Sequence, residues 1–373
     1  MSGLINQLAP GWRADGPVDE APRQFHASMP GYIPTPLHRI GALAEKAGVA
    51  EVWLKDESNR LGTPSFKITG TSWGTAAALS QPGAPPVRTF TDLLHLAAAR
   101  PGVVLAAATD GNHGRALAHL AGLCGLPAKI YIPTPTAPVR VNALREEGAE
   151  VIIVAGDYDA AVGRCIEDAA ADPSMLIVSD TSWPGYERVP TAVIAGYDTI
   201  LQEIDTQRGA TPEPFDAIIV QLGAGGLAAS IVQHYKRGPS APAIITVEPT
   251  RADCALQAAQ AGHVVHVPGP HPSIMAGLNC GTVSHVAWRS LQRGVDLFLS
   301  IQDHYAEEAV RALATAGLTI GETGAAGYAG LLALATSQPS WREAAHIHPQ
   351  AKVLLIATEG ITDPISWHRI VRP

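Results

Sequence analysis

The chain has 373 residues and a mass of 38.9 kDa, with 46% hydrophobic and 16% charged residues, a formal net charge of -8 and a mean hydropathy of +0.10. At about 150 residues per domain, that length allows two to three lobes around a sizeable core, and the composition excludes a chain disordered throughout. The acidic balance, with no run of Lys or Arg, leaves no electrostatic footprint for nucleic acid or acidic lipid, so the expected partner is a small molecule.

From about residue 100, short β-branched apolar runs alternate with amphipathic stretches. Val103 to Ala107 reads as a strand, His113 to Leu123 as a helix, Lys129 to Ile132 as a strand and Val139 to Glu147 as a helix. Val151 to Val154 then reads as a strand, Asp157 to Ala170 as a helix and Met175 to Val178 as a strand. The pattern resumes with strands at Ala217 to Val220 and Ile244 to Val247, and closes with Val353 to Ile356. Such alternation predicts α/β architecture with helices covering parallel sheets. The number of strands predicts two parallel-sheet α/β lobes, with a ligand held in the cleft between them beyond the strand carboxyl ends. Gln81 to Pro86 and Ser182 to Pro190 are the expected crossing points, or else loops within one lobe.

The amino-terminal MSGLINQLAPGWRADG has neither a basic leader nor an apolar core, and no apolar run approaches the roughly 18 residues of a membrane-spanning helix. Cys124, Cys165, Cys254 and Cys280 are scattered without a CxxC pair, which fits reduced thiols in a cytoplasmic enzyme. His346 and His348 alternate as on a strand but have no acidic or cysteine partner at a useful spacing, so no metal site is expected.

Three segments could carry chemistry. Lys67, in Thr63-Pro64-Ser65-Phe66-Lys67-Ile68-Thr69-Gly70, is either a solvated surface lysine or an amine whose pKa is lowered by apolar surroundings, able to bond a carbonyl carbon. Thr109-Asp110-Gly111-Asn112-His113-Gly114-Arg115 follows a strand and opens a helix. Either Asp110 or Asn112 merely caps that helix, or its N–H groups receive a carboxylate while the Asn112 amide donates to a ring oxygen. Gln221-Leu222-Gly223-Ala224-Gly225-Gly226-Leu227-Ala228 follows a strand, the context in which glycines and a helix start bind phosphate. It nearly matches the dinucleotide GxGxxG, with Glu248 near the place of a ribose-binding acid, so an NAD-dependent dehydrogenase competes.

The lysine, the asparagine loop and the late glycine loop stand in an order that resembles the fold type II pyridoxal-phosphate enzymes, the tryptophan synthase β group. Lys55-Asp56-Glu57-Ser58, the Asp110 loop, Asp180-Thr181-Ser182-Trp183 with Gly185-Tyr186-Glu187, Ile274-Met275-Ala276-Gly277-Leu278 with Cys280-Gly281, and Thr358-Glu359-Gly360 narrow the resemblance to diaminopropionate ammonia-lyases, over about residues 35 to 363. The dehydratases usually have a serine where this chain has Asp110. Pro64-Ser65-Phe66-Lys67 departs from the lyase pattern Asn-Ala-Phe-Lys toward the dehydratases, which keeps a serine or threonine dehydratase, or a lyase for another β-substituted amino acid, as alternatives.

The resemblance implies a large cofactor-binding domain of residues 1–73 plus 187–373 and a small α/β domain of residues 74–186. It implies pyridoxal 5'-phosphate bound covalently by Lys67, with Phe66, Asn112, Gly223, Ala224, Gly225, Gly226, Leu227, Glu322 and Thr358 around it. Asn112 would meet the ring hydroxyl oxygen, the glycine loop the phosphate and Thr358 the pyridine nitrogen, while Glu322 begins a helix and either faces its dipole or lies beside the cofactor. Lys67, Asp110 and Asp180 would be catalytic, and Ser65, Thr109, Asp110, Gly111 and Asp180 would bind an amino-acid substrate. His113 reads as a packing or hydrogen-bonding residue. The implied reaction is β-elimination from 2,3-diaminopropionate to pyruvate and ammonia, by a homodimer.

Overall fold

A computed structural model describes residues 1–372 except 82, 110, 135, 210–212 and 239, so Asp110 lies outside the described residues. Among the described residues there are eleven strands: β1 Ser2–Ile5, β2 Leu37–Arg39, β3 Glu51–Asp56, β4 Val104–Ala108, β5 Ala128–Pro133, β6 Glu150–Val154, β7 Met175–Ile177, β8 Ala217–Gln221, β9 Ala243–Pro249, β10 Leu297–Ile301 and β11 Lys352–Ala357. They form two sheets, in the orders β1-β10-β9-β8-β11-β3-β2 and β6-β5-β4-β7. The chain divides into two compact units, one of Met1–Val18, Pro34–Asn59 and Ile200–Pro373, the other of Asp19–Ile33 and Arg60–Thr199. Among the described residues, no helix is long and apolar enough to cross a membrane.

In the first unit, β8, β9 and β10 are buried along their whole length, as continuous apolar runs covered on both faces should be. The sheet is not wholly parallel. β1 pairs antiparallel with β10 and β2 antiparallel with β3, so its two edges are short reversed strands. Next to that edge, a charged cluster is buried. Lys55 of β3 and Glu203 are both 0% exposed, and Lys55 Nζ donates to Glu203 Oε2 at 2.7 Å, to Thr35 O at 2.7 Å and to Gln207 Oε1 at 3.0 Å. A buried ammonium with all its hydrogens placed fixes the loop before β2 in one position.

The second unit holds the four-stranded parallel sheet and the helix Lys67–Leu79, which packs on residues of the helix Arg188–Arg208. Glycines set that approach. A Cβ on Gly196 would stand 2.5 Å from Thr69 O and 2.9 Å from Gly70 Cα, and one on Gly70 would run into the Tyr197 ring. Phe25 and Met29 join Ile68, Leu79 and Leu93 in the same core. These contacts group residues 19–33, 60–73 and 187–199 with the four-stranded sheet, so the dividing lines differ from 73/74 and 186/187. Both Pro-rich segments proposed as crossing points, from Gln81 and from Ser182, lie inside this unit. His346 and His348 are not on a strand. The helix Pro339–Ala344 ends just before them, and His346 takes a left-handed φ of 53°.

Gly196→Ala should lower the thermal midpoint, because the new methyl meets backbone rather than a movable side chain, at about 1–3 kcal/mol. Gly163→Ala, in the helix Tyr158–Ala171 where a Cβ meets nothing within 4 Å, should raise stability by about 0.5–1 kcal/mol. Thermal denaturation of both variants checks the account. Equal midpoints would contradict it.

Candidate active site

Lys67 is the first residue of its helix, and the chain leading to it is pinned by a tight turn. Arg60 and Thr63 exchange N–H···O bonds of 2.9 Å around Leu61 and Gly62, whose φ values of 50° and 80° give the turn its hand. Phe66 then lies under the lysine. Its ring packs 4.7 Å from the ring of Tyr197, and Lys67 Nζ stands 5.2 Å above it. Ser65 is buried, and its hydroxyl has no hydrogen-bond partner among the described residues.

Lys67 Nζ donates to Asp180 Oδ2 at 2.5 Å. Asp180 is placed by the turn that follows β7. Trp183 and Tyr186 stack at 4.2 Å, and the Tyr186 hydroxyl reaches back to donate to Ile177 O at 2.8 Å and accept from Ser179 N at 3.1 Å. Burial would raise the Asp180 carboxyl, but the Lys67 ammonium, His113 and the bonds it accepts outweigh burial and hold it well below the usual carboxylate range. His113 adds a third group. Its Nε2 donates to Val178 O at 2.7 Å, so Nδ1 is the atom left facing Asp180 Oδ2 at 3.7 Å and Thr71 Oγ1 at 3.5 Å. The sequence reading gave His113 a packing or hydrogen-bonding role and missed Thr71, whose hydroxyl also donates to Lys67 O at 2.8 Å.

Of the two caps expected for this helix, Asp110 lies outside the described residues and Asn112 is not in the cap position. Thr109 Oγ1 accepts from Gly111 N at 3.0 Å and from Gly114 N at 3.3 Å, while Asn112 is the first residue of the helix Asn112–Cys124. Gly111 takes φ 157° and ψ -80°, a conformation suited to glycine, and as the N-cap residue it offers no side chain of its own to the helix start.

Within the first unit, the helix Gly226–Tyr235 also starts without a side-chain cap, after Gly225 at φ 93°. The N–H groups of its first turn have no intrahelical acceptor, and they follow Gly223 and Ala224 directly. Gly223 sits tightly on its neighbours: a Cβ there would stand 3.0 Å from Gly277 O and 3.2 Å from Leu278 Cα, so a side chain would push that backbone away. The motif from Ile274 to Leu278 is therefore a support for the glycine loop. Gly277 N in turn donates to Thr323 Oγ1 at 3.1 Å.

Thr358 is buried at the end of β11, and its hydroxyl accepts from Gln221 Nε2 at 2.7 Å. Glu322 is buried in the turn ahead of the helix Ala326–Ala335 rather than in its first turn, so a role facing that helix's dipole is not what its position provides. Glu248, the ribose-binding candidate, is spent elsewhere. Its two carboxylate oxygens accept from Ala255 N at 2.8 Å and Leu256 N at 2.9 Å, capping the helix Cys254–Ala261, and burial pushes it up to about 8. That geometry removes the acid a dinucleotide site needs.

A family model described as pyridoxal-phosphate dependent enzyme matches residues 29–359. The diaminopropionate ammonia-lyase of Escherichia coli (strain K12) is 35% identical over 363 residues, covering 94% of this chain and 90% of that protein. Its counterpart in Salmonella typhimurium (strain LT2) is 33% identical over 379 residues, covering 96% and 92%. The solved structure of the Escherichia coli lyase in complex with an aminoacrylate-PLP azomethine reaction intermediate aligns with a TM-score of 0.86 at 31% identity, covering 100% of this chain and 96% of that one.

The residues present fit this cofactor. In the second unit, an amine 22% exposed at a helix start and the buried Ser65 hydroxyl, unpartnered among the described residues, suit a ring aldehyde and an amino acid; in the first, an uncapped helix behind a glycine loop suits a phosphate.

A carboxyl held below its unfolded value stabilises the fold above about pH 4 and loses that contribution as pH falls toward its folded value. In the cofactor-free protein, Asp180→Asn should therefore destabilise most near neutral pH, with the gap to the native chain closing below about pH 4. Urea titrations at the two pH values check this, and a gap independent of pH would contradict it.

By its family model, its full-length relatives and its fold, the chain belongs to the fold type II pyridoxal-phosphate dependent enzymes and, within them, to the diaminopropionate ammonia-lyase family.

Proposed function

We propose that the chain eliminates ammonia from 2,3-diaminopropionate, with water completing the reaction to pyruvate and releasing both nitrogens as ammonia. The observation that carries the reading is the buried Asp180 carboxylate 2.5 Å from Lys67 Nζ. A β-ammonium leaving group arrives as a cation and needs such a carboxylate; the hydroxyl of serine or threonine does not. When bound, pyridoxal phosphate supplies an electron sink for the charge left at Cα once its proton departs.

The protein's part is to hold that group and to move protons. Lys67 would carry the cofactor aldehyde, the N–H groups from Gly223 to Leu227 its phosphate, Asn112 its ring hydroxyl oxygen and Thr358 its pyridine nitrogen, with Phe66 and Glu322 beside it. Once substrate has displaced it, the Lys67 amine can take the Cα proton from one side, and the family resemblance assigns Asp110 to the other. Proton carriers on both sides would admit D and L substrates. Asp180 keeps Lys67 aimed and balances its charge, and His113 Nδ1 stands behind Asp180 as a further proton site. Ser65, Thr109 and Gly111 complete the substrate contacts. The family resemblance supports a homodimer in the cytoplasm as the working form.

A second reading, a serine or threonine dehydratase, is favoured by Ser65, whose buried, unpartnered hydroxyl replaces the alanine usual in the lyases. Asp180→Asn separates the two. It should lower kcat/KM for diaminopropionate relative to that for serine by about 10- to 100-fold, the worth of one charged hydrogen bond. An unchanged ratio would contradict a role for Asp180 in meeting the β-ammonium group.

Purified protein with pyridoxal phosphate should show a visible band that shifts on adding diaminopropionate while pyruvate accumulates, and Lys67→Ala should abolish both. Asp110→Asn should keep the band and lose at least about 10²-fold in turnover of one enantiomer, the scale of a lost general base. Native turnover of both enantiomers by that variant would remove Asp110 from the mechanism.

A further inference from the structure

Gln221 closes β8 with its side chain buried, and its amide nitrogen sits in a ring of acceptors. Nε2 lies 2.7 Å from Thr358 Oγ1, 3.0 Å from Thr323 O, 3.0 Å from Ile356 O and 3.4 Å from Gly324 O. Carbonyl oxygens only accept, so the end of the amide that faces them is the NH2 group. An amide nitrogen offers no lone pair, so the short contact to Thr358 also has one direction: Gln221 donates and Thr358 accepts. The other end of the amide confirms the orientation by what it gives up. Gln221 Oε1 is buried and has no hydrogen-bond partner, yet reversing the amide would turn an oxygen toward several carbonyls.

The consequence falls on the Thr358 hydroxyl. Its proton is not used by Gln221, it makes no other hydrogen bond among the described residues, and the residue is 3% exposed. A buried donor in this state needs an acceptor. We propose that Gln221 is a positioning residue that fixes Thr358 as a hydrogen-bond donor, so that the ring nitrogen Thr358 meets is unprotonated. The inference rests on the reading that Thr358 faces the pyridine nitrogen. A protonated nitrogen could still be received by the second lone pair of Thr358, but then the Thr358 proton would be buried without an acceptor. Donation to an unprotonated nitrogen gives the Thr358 proton its acceptor.

An unprotonated ring withdraws electrons less strongly, so charge left at Cα is held less firmly and is passed on by expelling the β-substituent. Gln221 thereby favours elimination over returning the proton to Cα, without touching the substrate.

The test is nitrogen-15 NMR of holoenzyme reconstituted with pyridoxal phosphate labelled at the ring nitrogen. In the native enzyme the resonance should lie at the hydrogen-bonded, unprotonated position; a protonated nitrogen there overturns the inference without any variant. Thr358→Val should move the resonance, and a resonance left in place would overturn the assignment of Thr358 to the ring together with the inference. Gln221→Met frees the Thr358 proton to turn toward the Thr323 and Ile356 carbonyls, so the resonance should move to the protonated position near neutral pH. If Thr358→Val moves the resonance and Gln221→Met does not, the role of Gln221 alone is overturned.

Discussion

A buried carboxylate beside an amine is the constraint on which the second unit is built. Lys67 and Asp180 approach to 2.5 Å, and each comes from a segment fixed by its own local device: a two-residue turn at Leu61 and Gly62 ahead of the lysine, and the backward reach of the Tyr186 hydroxyl behind the aspartate. Together they keep a charge pair aligned in a place where misalignment would leave a buried ion unpaired, which is costly. The same alignment gives the lysine a defined direction and a neighbour able to meet a cationic leaving group.

Around that pair the backbone is brought close by omission of side chains. Gly70 and Gly196 let two helices touch at backbone distance, so the helix that Lys67 begins is held by main-chain contact rather than by deformable side chains. In the first unit Gly223 plays the corresponding part, seated on Gly277 and Leu278 so that the N–H groups after it form a stiff rim. The buried Lys55–Glu203 cluster does for the loop before β2 what hydrophobic contacts do elsewhere: it specifies one arrangement by leaving no other that pairs the charges.

Much of this was legible in the sequence, for identifiable reasons. The central parallel strands β8, β9 and β11 announce themselves because burial on both faces requires unbroken β-branched and aliphatic runs. Lys67, the Asn112 loop and the glycine loop are legible because each sits at a strand-to-helix or turn-to-helix junction whose backbone conformation only certain residues permit. The edge strands β1 and β2 were not, being four and three residues long and half-exposed, so neither periodicity nor composition marks them. Glu248 was misread because an acid after a strand has the same spacing whether it faces a ribose or caps the next helix. Gln221 left no signal as a polar residue at the end of a buried strand; its meaning lies in four acceptors from two distant segments that only folding brings together.

The claim beneath all of this is that Lys67 is the residue to which the cofactor is bonded. Borohydride reduction of the holoenzyme, followed by proteolysis and peptide mass mapping, tests it directly, because reduction makes the bond to the lysine permanent. The account predicts the phosphopyridoxyl mass on the peptide containing Lys67 and its loss when diaminopropionate is added before reduction. Label on any other lysine, or label on Lys67 that substrate does not displace, would contradict it.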